Sequence, residues 1–170
     1  MPADLEQRFA ALMKAEGAAL TRLAASYARG SDDRDDLFQD IAVAIWQALP
    51  RFRGECSERT FLFRIAHNRG IAHIARRRPP MIESGEDLEL RDEKPDPEQS
   101  LSAEQQRQRL LNAVLKLPVG YRQVVTLALE GMSYQEIGEI LGIAESNAGA
   151  RLTRARQMLR RSLKGTSHGT

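Results

Sequence analysis

Residues 133–161 read SYQEIGEILGIAESNAGARLTRARQMLRR, and their pattern predicts the fold of the C-terminal part of the chain. Ser133, followed three residues later by Glu136, forms the pattern of a capping box, which starts a helix. Gly142 then predicts a sharp turn, because glycine readily ends a helix in the left-handed conformation. The apolar spacing after residue 144 predicts a second helix with one buried face. Two helices joined by so short a turn form a helix-turn-helix.

The second helix of this motif carries polar side chains on the face opposite its apolar stripe. They are Asn147, Arg151, Arg154, Arg160 and Arg161. In a helix-turn-helix the second helix enters the major groove, where asparagine and arginine make paired hydrogen bonds to adenine and guanine. Arginines further along the helix are expected to contact phosphates. The pattern therefore predicts binding of duplex DNA, with an ordinary helical hairpin that exposes a basic helix as the alternative.

The rest of the chain also shows the three- and four-residue apolar spacing of helices. A first helix is expected to end near Gly30, a second at Pro50, and a third before the prolines at 79–80, which cannot continue a helix. Further helices are predicted on either side of Pro118. Aromatic residues make up only 5% of the chain, which favours packed helices over a sandwich or barrel. The predicted fold class is all-α.

Charge divides the chain into blocks although the net charge is only +2. Residues 51–78 carry eight basic and two acidic residues, residues 79–104 carry nine acidic and two basic, and residues 105–170 carry ten basic and four acidic. Two basic blocks separated by an acidic, proline-containing stretch predict two nucleic-acid-facing units. We therefore predict an N-terminal domain over residues 1–78, a flexible acidic linker over 79–104 and a C-terminal helix-turn-helix domain over 105–170.

Several classes of protein are disfavoured by the sequence. Cys56 is the only cysteine, so a disulfide or a cysteine-based zinc site lacks its partners, and its thiol is either a spare loop group or a redox sensor. His67 and His73 lie on different helix faces, so we predict no metal site and expect surface or phosphate-facing roles. We find no phosphate loop, catalytic carboxylate pair or nucleophile motif, and expect neither a cofactor nor an enzyme. No apolar run approaches the roughly 20 residues that span a bilayer, and no signal peptide is recognised, which predicts a cytoplasmic protein.

Two parts of the chain resemble the extracytoplasmic-function sigma factors of bacterial RNA polymerase. DRDDLFQDIAVAIWQALPRFRGE at 33–55, followed by RTFLFRIAHNRGIAHIARRR at 59–78, resembles their N-terminal domain. LPVGYRQVVTLALEGMSYQEIGEILGI at 117–143, together with the helix-turn-helix, resembles their C-terminal promoter-binding domain. The two resemblances come in the right order and cover most of the chain.

The resemblance implies a protein that directs core RNA polymerase to promoters and that has an anti-sigma partner. The residues that match the family's contact with the clamp helices of the polymerase's largest subunit are Asp33, Asp36, Leu37, Gln39 and Asp40. A solvated helix N-terminus, which favours acids in any case, is the alternative explanation for this cluster. Catalysis is expected to belong to the polymerase.

The same resemblance assigns promoter DNA to the two basic blocks. The residues expected to capture the unpaired strand of the −10 element are Arg51, Phe52, Arg53, Arg59, Phe61, Arg64, Asn68, Arg76 and Arg77. Rings that stack on bases and cations along the backbone suit that task. Those expected at the −35 duplex are Ser146, Asn147, Arg151, Arg154 and Arg160. Among the phenylalanines we expect Phe63 to be buried and Phe61 to lie nearer the DNA, and we expect no exposed aromatic residue in the C-terminal block.

The chain departs from the family pattern at three positions. Phe61 stands where the family most often has tryptophan, Ala144 where a capping serine is usual, and Gly149 where a basic residue is common.

Two other functions account for part of the sequence. A stand-alone helix-turn-helix regulator that binds operator DNA as a dimer leaves the block of arginine and phenylalanine unexplained, whereas a helical adaptor that does not touch DNA predicts a function insensitive to salt.

Overall fold

The computed structural model describes residues 2–77 and 102–167, which form two helical units. The N-terminal unit consists of α1 (Pro2–Ala25), α2 (Ser31–Ala48), a short 3-10 turn (Leu49–Arg51) and α3 (Glu58–Arg77). The C-terminal unit consists of α4 (Ala103–Leu115), α5 (Val119–Leu129), α6 (Tyr134–Leu141) and α7 (Glu145–Ser167). No strand occurs in the described ranges, and the predicted all-α class is confirmed.

The predicted domain boundaries can be compared with only part of the structure. The acidic linker predicted over 79–104 lies outside the described residues up to residue 101. Helix α4 begins at Ala103, within the last two residues of that predicted linker, and Ser102 caps it. The Ser102 hydroxyl accepts a hydrogen bond from the backbone N of Gln105 at 3.2 Å, so a capping box starts this helix as well.

A three-helix core holds the N-terminal unit together. Helix α1 packs on α2 and α3, and the fully buried side chains between them include Leu20, Leu37, Ile45 and Phe63. Each such side chain contributes about 1.5–3 kcal/mol when it is removed from water. This packing fixes α2 against α3, and the loop between them carries several of the residues predicted to bind DNA.

Local signals in the sequence build the helix-turn-helix as predicted. The Ser133 hydroxyl accepts from the backbone N of Glu136 at 3.1 Å, and the Glu136 carboxylate accepts from the backbone N of Ser133 at 2.8 Å. Gly142 has a φ of 72°, in the left-handed region that glycine enters without steric cost. The backbone N of Ile143 then donates to the carbonyl of Gly138 at 3.0 Å and closes the turn into α7.

The two units touch each other directly. Helix α3 packs against α6, and α1 packs against α5. At this boundary the Arg22 Nη2 donates to Glu130 Oε2 at 2.9 Å, and the Arg59 Nη2 donates to the backbone carbonyl of Glu130 at 2.6 Å. Glu130 follows the last residue of α5, so the segment that leads into the helix-turn-helix is held by two arginines of the N-terminal unit.

Candidate nucleic-acid interface

A depression beside the α2–α3 loop brings together part of the predicted −10 surface. Its lining is Arg51, Phe52, Arg53, Glu55, Cys56, Phe61 and Arg64. The rings of Phe52 and Phe61 lie 4.6 Å apart between their centroids, and both are half-buried. Phe63 is fully buried, as predicted. The depression therefore combines an aromatic surface with three arginines, which is what stacking of an unpaired base and neutralisation of its backbone require.

Two of the predicted −10 arginines contact the C-terminal unit in this structure. Arg59 donates to the carbonyl of Glu130, and its Nε also donates to Glu16 Oε2 at 3.2 Å. The Nε of Arg64 donates to the backbone carbonyl of Glu139, in α6, at 3.2 Å. Arg64 thus lines the depression and contacts the opposite unit, whereas Arg59 lies outside the depression.

The remaining predicted −10 residues lie further along α3. Asn68 is exposed two turns beyond Phe61. The Arg76 Nη2 lies 3.7 Å from Asp40 Oδ2, so it forms an ion pair with α2. The side chain of Arg77 lies outside the described residues. The structure therefore does not group these three residues with the aromatic depression.

The residues predicted to bind polymerase occupy different environments on α2. Asp36 and Gln39 are exposed. Asp33 accepts a hydrogen bond from His73 Nε2 at 2.8 Å, which links the start of α2 to α3. Leu37 is fully buried, so it belongs to the core of the unit and supports the helix from beneath. Only part of the predicted set is available to a partner.

Two exposed apolar residues that we did not predict extend this face of α2. Val43 is 54% exposed and Trp46 is 37% exposed. Together with Asp36 and Gln39 they have helical spacing of three, four and three residues, which places all four on one face. The Phe9 ring contacts Trp46 edge-on, with 5.3 Å between centroids. The spacing 36–39–43–46 was the signal in the sequence that would have found them.

Helix α7 presents most of the predicted −35 residues outward. Ala148 and Leu152 face the core, and the predicted residues exposed on other faces are Ser146, Asn147, Arg154 and Arg160. Arg151 differs because it is half-buried. A Cβ placed on Gly120 would lie 3.7 Å from the Arg151 Nη1, so this guanidinium lies along the first turn of α5.

Further residues on the outward face of the helix-turn-helix were not predicted from the sequence. Ala150, Thr153 and Gln157 are exposed on α7. Tyr134, the first residue of α6, is 41% exposed, so the expectation that the C-terminal block has no exposed aromatic residue is wrong. Tyr134 was missed because it follows the capping Ser133 directly and the helical pattern alone does not settle where a first-turn side chain goes.

The two described histidines have structural partners. The Tyr27 hydroxyl and His67 Nδ1 lie 2.7 Å apart and share a hydrogen bond. Burial lowers the pKa of His67 and raises the pKa of the Tyr27 phenol, so both groups are neutral near pH 7.

Within residues 2–77 and 102–167 no three side chains of metal-binding type come together. In the same ranges no helix has the length and apolarity to cross a bilayer.

Comparison with known proteins assigns both units to one class, the promoter-recognition subunits of RNA polymerase. Residues 12–79 match the family described as Sigma-70 region 2, and residues 107–159 match Sigma-70, region 4. The chain is 34% identical to the RNA polymerase sigma factor CnrH of Cupriavidus metallidurans over 91% of its own length and 85% of the relative's. It is 32% identical to the ECF RNA polymerase sigma-E factor of Escherichia coli, over 76% and 73% of the two chains.

Solved structures agree with these matches. The structure of CnrH in complex with the cytosolic domain of CnrY has a TM-score of 0.69 and 28% identity, and the match covers 94% of this chain and 90% of that chain. The sigma factor RpoE of Bartonella quintana, solved with the anti-sigma factor NepR, has the same fold with a TM-score of 0.68 over 95% and 97% of the chains, at 24% identity. The chain therefore belongs to the extracytoplasmic-function sigma factors of the sigma-70 family, and it directs RNA polymerase to promoters.

Proposed function

We propose that three exposed surfaces of this sigma factor divide the work of promoter recognition. The depression at the α2–α3 loop captures the unpaired −10 strand, the outward face of α7 reads the −35 duplex, and the exposed face of α2 binds core polymerase. The observation that carries the proposal is the Phe52–Phe61 pair bordered by Arg51, Arg53 and Arg64. A surface of rings and arginines suits single strands, whereas α7 is a groove-sized basic helix that suits a duplex.

The polymerase-binding role of α2 rests on the mixture of groups along one face. Asp36 supplies charge, Gln39 supplies an amide, and Val43 and Trp46 supply exposed apolar area. Aromatic residues are enriched in protein interfaces, and exposed apolar patches with a polar rim mark such sites. Asp36 and the apolar pair lie on the same face of α2, so one partner surface contacts both.

The chemistry of transcription stays with the polymerase in this proposal. The chain positions the enzyme and holds promoter DNA, and contributes no catalytic step of its own. Its place of action is the cytoplasm, where RNA polymerase works. The exposed groups on all three surfaces are those of binding, namely rings, arginines, amides and carboxylates.

An anti-sigma protein is the expected regulator. CnrH was solved with the cytosolic domain of CnrY, and RpoE with the anti-sigma factor NepR. In the contact between the two units, Arg59 and Arg64 donate hydrogen bonds to the C-terminal unit and are not free to neutralise DNA. A partner that holds the two units together would therefore suppress −10 capture.

The division of labour is tested with a template that is pre-melted at the −10 element. We expect Phe61→Ala to slow open-complex formation on duplex DNA, because unstacking a base costs a few kcal/mol and the smaller aromatic surface offsets less of that cost. The artificial bubble removes the step and should largely restore the rate. Arg154→Ala, on the outward face of α7, should be impaired equally on both templates because its duplex target is unchanged.

The control variant is Asp36→Lys, which should lower the affinity for core polymerase and so reduce open-complex formation on both templates. Its helical content should stay the same. Equal rescue of Phe61→Ala and Arg154→Ala by the bubble, or rescue of neither, would show that the two units are assigned to the wrong DNA. Tight binding of duplex DNA by the free chain would favour a stand-alone regulator instead.

A further inference from the structure

A second, shallow depression lies on the outward face of the helix-turn-helix, between the start of α6 and the first turns of α7. It is lined by Tyr134, Glu145, Ser146, Gly149, Ala150 and Thr153. None of these residues lines the depression at the α2–α3 loop. DNA seated on the exposed face of α7 would cover it.

Gly149 makes room for this depression. A Cβ placed on residue 149 would lie 3.4 Å from two carbon atoms of the Tyr134 ring. Glycine therefore lets the ring lie close to the α7 backbone, and a longer side chain would fill the space beside it. Glycine within a helix costs about 1 kcal/mol relative to alanine. Helix α7 thus carries an unfavourable helix former at a position beside an aromatic ring of α6.

The walls of the depression are mainly apolar. Tyr134 contributes its ring and Ala150 its methyl group. The Thr153 hydroxyl donates to the backbone carbonyl of Gly149 at 3.0 Å, so its donor is already used and its methyl group is the main contact surface. The six lining residues carry no positive charge, and the Glu145 carboxylate at the edge repels phosphate. A base is therefore a better occupant than the DNA backbone.

In the major groove, base pairs present one apolar group, which is the C5-methyl of thymine. The donors and acceptors of other base edges find no partner at the Tyr134 ring and the Ala150 and Thr153 methyl groups, which is unfavourable. Arg154 and Arg160 are exposed elsewhere on α7 and are available for the flanking phosphates. Major-groove binding by α7 would thus bring a methyl group and an apolar depression together.

We infer that Tyr134, Gly149, Ala150 and Thr153 form a thymine slot, which holds the methyl group of one thymine in the −35 duplex and so contributes to promoter choice. The inference rests on the proposed reading of that duplex by α7. The glycine that departs from the family pattern then acts as a specificity determinant, because a basic residue at 149 would occupy the slot.

The test uses the full chain bound to core polymerase, and a duplex selected from a library randomised in the −35 region. Each thymine on either strand is replaced in turn by deoxyuridine, which lacks only the methyl group. At one position we expect a loss of affinity of about fourfold, which corresponds to about 0.8 kcal/mol for one buried methyl group. In two variants the same deoxyuridine replacement should leave the affinity for DNA unchanged. They are Gly149→Arg, which fills the slot, and Tyr134→Ala, which removes a wall.

Tyr134→Phe is the matched control because it keeps the ring, and it should retain the fourfold loss. Circular dichroism verifies that each variant is folded. The slot is refuted if no thymine responds to deoxyuridine, if the loss persists in Gly149→Arg, or if the selected element contains no A·T pair. If no base change at all in the −35 duplex alters affinity, the assignment of α7 to that duplex fails too, which is a different result.

Discussion

His67 gives the fold a stability that depends on pH. Its Nδ1 lies 2.7 Å from the hydroxyl of the buried Tyr27, and burial lowers its pKa below the ordinary value of 6.5. The folded protein therefore keeps the ring neutral at pH values where the unfolded chain already binds a proton. The resulting contribution is present in full above pH 6.5 and is lost as the pH falls from there through the folded-state pKa.

We expect His67→Gln to reduce the loss of stability on acidification, because glutamine keeps a polar group beside Tyr27 but does not titrate. The free energy of unfolding, measured in urea at about pH 7.5 and about pH 5.5, should fall less in the variant than in the wild type. A titration of the His67 ring by NMR provides the direct measurement. A ring pKa at or above 6.5, or identical pH dependence in both proteins, would contradict the assignment.

The turn between α6 and α7 is tight because of a small residue in α6. A Cβ placed on Gly138 would lie 2.7 Å from the carbonyl oxygen of Ile143, which is backbone and cannot rotate away. The backbone N–H of Ile143 also donates a hydrogen bond to the carbonyl of Gly138. The angle at which α7 leaves the turn therefore depends on the absence of a side chain at residue 138.

Gly138→Ala should destabilise the protein by roughly 1–3 kcal/mol, the usual cost of overpacking, and should weaken −35 binding because α7 shifts. Gly17→Ala is the matched control. A Cβ on Gly17, within α1, meets nothing within 4 Å, so that change should stabilise by about 0.5–1 kcal/mol. Urea denaturation distinguishes the two, and a shift of both variants in the same direction would show that the close approach is not the cause.

Local interactions explain which features could be predicted from the sequence. The capping box of Ser133 and Glu136 and the turn at Gly142 involve residues three to nine positions apart, so their pattern is visible in one short stretch. The close approach of the Tyr134 ring to α7 depends on Gly149 in another helix, and the direction of Arg59 depends on Glu130, which lies 71 residues away. Such contacts form only when the two units pack, and no periodicity of a single helix encodes them.

Contact between the two units occupies two arginines that are also proposed to bind promoter DNA. The Glu130 carboxylate is almost buried, with side-chain exposure of 9%, and it pairs with Arg22 and lies 3.9 Å from Arg59. Arg59 is also a predicted −10 residue. In this structure Arg59 holds the C-terminal unit, so its proposed −10 role requires that contact to open.

Glu130→Ala should shift the free protein toward open forms. The change removes a carboxylate that accepts from Arg22, and hydrogen bonds to charged groups contribute about 1.5–3 kcal/mol, reduced here because half of the Arg22 side chain is exposed. Glu139→Ala is the matched control, since it removes the same charge from an exposed position while keeping the backbone carbonyl that Arg64 contacts. Small-angle scattering should give a larger radius of gyration for Glu130→Ala alone. Equal radii for all three proteins would mean that the Glu130 carboxylate is not needed to hold the two units together.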